Sequence, residues 1–315
     1  MTELEVEPLA KILASRPSSL AVARTALAAW PEHDKFLLRS FRQRNAELLD
    51  ATETVAAAVL KLIEGDEARF GRDYRWTCDR LREEEIFFHR EGRYRLSTFA
   101  EACAEVYSNP EYMRRYVGGL LLTQVLWYNH IGAMEMFLAR VLGAIRQPFD
   151  YLEIGPGHGL MTYFAAQSRW SRGIEAWDVS AVSLGETRAA LARLCVPKQV
   201  ALVEADIMRA RASSRRFDLV VASEVLEHLE NPAAALQFLR SAVSERGRIF
   251  INVPINSPSP DHLCLFASPS HVKALIEASG LRIERMELYA TQGRPLESAL
   301  ANRISVSAAV AARPS

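Results

Sequence analysis

The chain has 315 residues, enough for a large buried core and for two domains. Lys plus Arg number 38 and Asp plus Glu also 38, so the formal net charge is zero and no global field draws the chain to nucleic acid or an acidic membrane surface. No apolar run reaches the length of a membrane span, and the four scattered cysteines form no CxxC pair, which excludes a disulfide scaffold and points to reduced thiols in a cytoplasmic setting.

The N-terminal "MTELEVEPLAKILA" is acidic and lacks the basic-then-apolar pattern of a secretory signal. Up to Gln147 nearly everything reads as helix. "SSLAVARTALAAW" has apolar residues at three and four spacing, and "DKFLLRSFRQRNAELLDATETVAAAVLKLIEG" is one or two more helices closed by Gly65. "CDRLREEEIFFHREGRYRLSTFAEACAEVY" reads as a helix, a turn at Glu91-Gly92, a short alternating strand "RYRLS" and another helix, the order of a winged helix. The basic residues around this wing, from Arg69 to Arg95, are interleaved with Asp73, Asp79, Glu83, Glu84, Glu85 and Glu91, which suits a salt-bridged surface and not a phosphate backbone. The apolar stretch "YVGGLLLTQVLWYNHIGAMEMFLARVL" is interrupted by Asn129, His130 and Glu135 and reads as a buried interface helix, the expected seam of a homodimer.

After Pro148 the pattern alternates strand and helix. The strands are "DYLEIG", "IEAWDV", "VALVEAD", "FDLVVAS", "RIFINVP", "RIERMELY" and "RISVSAAVAA", with helices expected between the first five and none between the last two. That alternation predicts an α/β fold, a Rossmann-like parallel sheet covered on both faces with an antiparallel end. The chain thus divides into residues 1–147, mostly helical, and 148–315, the sheet domain.

The loop after the first strand, "EIGPGHGL", carries Gly155, Gly157 and Gly159 behind Glu153. In such a sheet it lies at the carboxyl edge, where ligands bind. Leu160 stands where the dinucleotide pattern G-x-G-x-x-G needs its third glycine, which disfavours a nicotinamide oxidoreductase. Asp178 closes the second strand, where a carboxylate can accept both hydroxyls of a ribose. Asp206 follows the third strand, placed for an exocyclic base amine, with Ile207 against the ring. Each acid alone is equally well explained as a helix cap. Three successive strand ends with acids, beside a glycine loop, are a much rarer coincidence.

Taken together, "LEIGPGHG", "WDVS", "EADIM" and "FDLVVASEVLEHLENP" resemble the successive motifs of class I S-adenosylmethionine-dependent methyltransferases. The resemblance covers about Phe149 to Ala312. It implies a seven-stranded sheet ending in a β-hairpin and S-adenosyl-L-methionine as cofactor. Gly155, Gly157 and Gly159 would line its methionine and ribose, Asp178 the ribose, Asp206 and Ile207 the adenine; Glu153 and Ser223 would complete the site. More loosely, residues 1–147 resemble the dimerising winged-helix lid domain of small-molecule O-methyltransferases, in which no DNA is bound. An S-adenosylmethionine-sensing regulator is the non-catalytic alternative, and the acidic wing weighs against it.

The acceptor is less legible. It is expected to be a small molecule methylated on a hydroxyl oxygen, with nitrogen or carbon as alternatives. Where winged-helix O-methyltransferases carry a His-Asp-Trp context, this chain has "VLEHLENP", so His228 and Glu227 are the catalytic candidates. Tyr128 and His130 are candidates for substrate contact. Read as a helical turn, Glu224, Glu227 and His228 form E-x-x-E-H, with His262 arriving after the fifth strand. Small-RNA end methyltransferases, which this stretch is similar to, hold a divalent metal on two glutamates and two histidines so arranged. Mixed carboxylate and imidazole ligands suit Mn²⁺, Fe²⁺, Co²⁺ or Zn²⁺ better than Mg²⁺.

Overall fold

The computed structural model describes residues 3–209 and 215–315. The helices before the sheet are α1 (Glu3–Ile12), α2 (Pro17–Ala29), α3 (Asp34–Arg42), α4 (Ala46–Ile63), α5 (Glu67–Glu91), α6 (Phe99–Ala102), α7 (Pro110–Leu126) and α8 (Tyr128–Glu135). The sheet follows as β1 (Phe149–Ile154), α9 (Leu160–Gln167), β2 (Ser171–Asp178), α10 (Ala181–Arg193), β3 (Ala201–Glu204), β4 (Phe217–Ser223), α11 (Pro232–Ala242), β5 (Val243–Ile255), α12 (Pro269–Ala278), β6 (Leu281–Ala290), α13 (Leu296–Ala301) and β7 (Val306–Pro314).

The seven strands stand in the order β3-β2-β1-β4-β5-β7-β6, the first five parallel and β7 antiparallel to both neighbours. Successive strand residues face opposite sides. Tyr151, Leu219 and Val221 therefore join one apolar core and Leu152, Val220 and Ala222 the other. The first core is shared with α2, α4, α7 and α8, so the N-terminal helices roof one sheet face; α11 and α12 cover the opposite face. Strand order reverses between β1 and β4. The loops leaving these two strands part there and open a crevice at the carboxyl edge.

Several sequence expectations are corrected. "RYRLS" forms no strand. It has no β-partner, and its side chains are used otherwise: Tyr94 and Leu96 are buried, the Tyr94 hydroxyl accepts from the Ser257 N–H (3.2 Å), and Arg95 pairs with Glu84 (2.9 Å). The apolar stretch expected as one interface helix is two helices, α7 and α8, and its Leu121, Leu122, Val125 and Leu126 are at most 4% exposed within this single chain. The link between β6 and β7 contains α13. Between β3 and β4 no helix occurs among the described residues, and 210–214 lie outside them. No α-helix starts at Glu224: its φ is +54° and only a single 3₁₀ turn, Leu226–His228, follows.

Candidate functional site

The glycine loop has the backbone that only glycine supplies cheaply. Gly155 and Gly157 have φ of +67° and +48°, and a Cβ on Gly155 would stand 2.8 Å from Val225 Cγ2. Beneath the loop Glu153 is 3% exposed and accepts hydrogen bonds from Tyr151 (2.9 Å) and from Thr162 at the start of α9. Burial raises its carboxyl to about 7.

Asp178 and Asp206 lie at the neighbouring strand ends. Asp178 accepts from the Ser180 N–H (2.9 Å) and the Ser183 hydroxyl (2.7 Å), and burial raises its pKa. Asp206 accepts from the Met208 N–H (2.9 Å), with Ile207 buried beside it. Val179, Val182 and Met208, close in sequence to these acids, are exposed at 47, 59 and 39%. The cavity at the crevice is lined in part by Glu153, Gly155, Gly157 and Ser223; Gly159, Asp178, Asp206 and Ile207 lie outside its wall.

Opposite the glycine loop, Glu224 and His228 face the cavity together with Asp261 and His262 from the loop after β5. Glu224 accepts from the Asn252 side chain (2.8 Å), and its carboxyl is pushed up to about 8 by burial and by Asp261. His228 Nδ1 lies 3.1 Å from the Asp261 carbonyl, 3.4 Å from its Oδ2 and 3.3 Å from the Tyr107 hydroxyl. The two Asp261 oxygens are acceptors, which favours the tautomer with its hydrogen on Nδ1 and its lone pair on Nε2. Asp261 in turn accepts from Tyr116 (3.1 Å), Ser259 (3.0 Å) and Tyr107 (3.2 Å). Burial alone would raise this carboxyl; His228, His262 and the hydroxyl donors hold it below the usual range.

Glu227 lies behind this wall, fully buried, with both carboxyl oxygens lacking a hydrogen-bond partner. Burial, then Glu224, pushes its pKa well above the ordinary range. His262 presents Nδ1 to the Ser257 carbonyl (2.7 Å), which leaves its Nε2 unprotonated as well. One ligand atom each from Glu227, His228 and His262 lie within 4.8 Å of one another. Glu224, expected as a fourth ligand, is turned to Asn252 instead, because its left-handed backbone breaks the helical spacing.

The roof comes from the N-terminal helices: Tyr116, Leu120 and Gln124 on α7, Trp127 at the break, His130 and Met134 on α8. The break is built by Arg44, which is 6% exposed and donates to the carbonyls of Val125 (2.9 Å) and Leu126 (3.1 Å), ending α7. His130 faces the cavity, where Nδ1 is bonded to Thr123 (2.8 Å), and burial lowers its pKa to about 4. Tyr128 does not reach the cavity. It sits on the adjacent face of α8, with its ring 6.4 Å from that of Tyr289 on β6.

Sequence reasoning missed Asp261, Tyr107, Tyr116, Asn252 and His158. The "SPSPDHL" stretch offered a signal for Asp261, since an acid beside His262 at a strand exit matches the other strand-end acids. The tyrosines gave none, because their approach depends on the packing of α7 over the sheet.

A family model described as a methyltransferase domain matches residues 126–292. No match was found among curated proteins. The pyocyanin biosynthetic protein PhzM superposes with a TM-score of 0.52 at 16% identity, covering 82% of this chain and 76% of that one. Magnesium protoporphyrin IX methyltransferase from Synechocystis PCC 6803 gives 0.44 at 15% identity over 59% of this chain and 82% of its own. The N-methyltransferase NodS from Bradyrhizobium japonicum WM9 gives 0.43 at 16% identity over 56% and 83%.

Proposed function

This chain belongs to the methyltransferase-domain family, and from that premise we propose that it moves the methyl group of S-adenosyl-L-methionine to a hydroxyl of a small molecule enclosed between α7, α8 and the crevice. The observation that carries the reading is one cavity walled at once by the glycine loop, by His228 and by the roof helices. Residues 148–315 act as the cofactor domain and residues 1–147 as its lid.

Sulfonium methyl transfer needs little from the protein beyond alignment, exclusion of water and removal of a proton. The glycine loop, Glu153 and Ser223 receive the methionine end, Asp178 the ribose, Asp206 and Ile207 the adenine. His228 takes the acceptor's proton at Nε2, while Asp261 holds Nδ1 and stabilises the imidazolium that forms. The roof excludes water.

A second reading concerns a metal, favoured by the unpartnered oxygens of Glu227 and the two Nε2 lone pairs. Glu227, His228 and His262 fit a divalent ion of the Mn²⁺ to Zn²⁺ series. Such an ion would lower the pKa of the acceptor hydroxyl.

The test is transfer of label from methyl-tritiated S-adenosylmethionine across a panel of small phenols, alcohols and amines, before and after exhaustive chelation. Label found on no acceptor contradicts the enzyme reading. Label on nitrogen alone corrects the acceptor atom. Unchanged turnover after chelation removes the metal.

A further inference from the structure

The cavity wall carries carboxyl groups and no basic side chain other than imidazoles. Among the described residues of its wall, Glu153, Glu224 and Asp261 are acids, and none is lysine or arginine. The arginines carried by the roof and its supports are engaged elsewhere. Arg114 and Arg115 each lie 3.4 Å from Asp73, Arg95 pairs with Glu84, and Arg44 caps α7. The roof imidazole His130 and the loop imidazole His158 bring no positive charge near neutral pH, since burial holds both at about 4.

The acids divide between the two ends. Glu153 stands beneath the glycine loop, where the cationic sulfonium and ammonium of the cofactor would lie; this placement rests on the methyl-transfer reading above. Glu224 and Asp261 stand across from it, Asp261 in the loop after β5 and bonded to Tyr116 of the roof. Behind His228 is Glu227, fully buried, with neither oxygen hydrogen-bonded and Oε1 3.8 Å from His228 Nε2. An anionic group entering here would lose its hydration, find no lysine or arginine and face Asp261. An ammonium group would lose the same hydration and gain carboxylate acceptors, with Trp127 and Tyr116 offering aromatic faces.

We infer that the acceptor is an amine-bearing molecule that enters with its ammonium group towards Asp261, and that carboxylate- or phosphate-bearing acceptors are rejected by the same wall. The acceptor then brings the permanent positive charge that no lysine or arginine supplies in this cavity.

Three probes of one shape separate the cases: tyramine, 4-propylphenol and 3-(4-hydroxyphenyl)propionate, carrying an ammonium, a methyl and a carboxylate on the same two-carbon arm. Met134 and Met161 both line the cavity, so ¹³C-methyl methionine spectra of the full chain saturated with S-adenosylhomocysteine report binding directly. Tyramine is expected to bind at least about ten-fold tighter than the propionate, and Asp261→Asn to shrink that ratio to about two-fold or less. Equal or tighter binding of the propionate, or a tyramine titration that leaves both methyl signals unmoved, overturns the inference. So does a preference that survives Asp261→Asn. If that variant does not fold, the wild-type ranking of the three probes decides alone. S-adenosylhomocysteine binding is read first in the same spectra, so its failure would reject the methyl-transfer reading, whereas a wrong ranking with it bound rejects only the acceptor class.

Discussion

Replacing Glu153 by glutamine isolates the cost of a buried charge beneath the glycine loop. The carboxyl is 3% exposed, and burial raises its pKa from 4.5 to about 7. A carboxyl with a raised pKa holds its proton more tightly in the fold than in the unfolded chain. Its contribution to stability is therefore fully present below about pH 4.5 and is lost as pH rises through about 7. The whole loss is about 3 kcal/mol, and about 2.5 kcal/mol of it falls between about pH 5 and about pH 8. Glutamine does not titrate, so the stability of Glu153→Gln relative to wild type should rise by that amount across the interval. Glu224, raised in the same direction to about 8, is present in both proteins and cancels to first order. Urea unfolding of both proteins without cofactor at the two pH values measures the difference. A difference that stays flat within about 0.5 kcal/mol would refute a buried, proton-binding Glu153.

Asp178→Asn should weaken S-adenosylhomocysteine binding by about ten-fold through loss of the charged ribose acceptor; calorimetry giving affinity within two-fold of wild type would contradict that placement. His228→Gln should lower kcat by about 100-fold or more with any acceptor found, while leaving S-adenosylhomocysteine affinity unchanged; equal loss in both would make His228 a packing residue. Gly155→Ala forces a side chain to φ +67° and against Val225, and should cost about 1–3 kcal/mol by thermal unfolding together with cofactor affinity. Unchanged melting in that variant would show that the loop tolerates a Cβ.

The sheet was legible because its signals are local. β1 to β4 are each an apolar run closed by an acid or glycine, and β1 to β7 fall where the sequence places strands. The family motifs were legible for the same reason: "LEIGPGHG" and "WDVS" are continuous in sequence and sit on successive strand ends. Tertiary context decided the rest. "RYRLS" alternates like a strand, yet Tyr94 and Leu96 are drawn into packing beside the loop after β5 and no partner strand exists. "EVLEH" has helical spacing, but Glu224 follows the last residue of β4 and turns left-handed, which sends its carboxyl to Asn252 and away from Glu227. Tyr128 and His130 are two positions apart, and only the angle at which α8 meets β6 decides that the histidine sees the cavity. Asp261 and Tyr116 are 145 positions apart and meet only in the folded chain.

The central claim is that the crevice between β1 and β4 holds a sulfonium cofactor and not a dinucleotide. Calorimetric titration of the full chain with S-adenosylhomocysteine, and separately with NADH, tests it most directly. One S-adenosylhomocysteine is expected to bind per chain, with affinity that falls in Asp178→Asn, and NADH should give no heat. Binding of NADH, or no binding of S-adenosylhomocysteine by the folded protein, would contradict it.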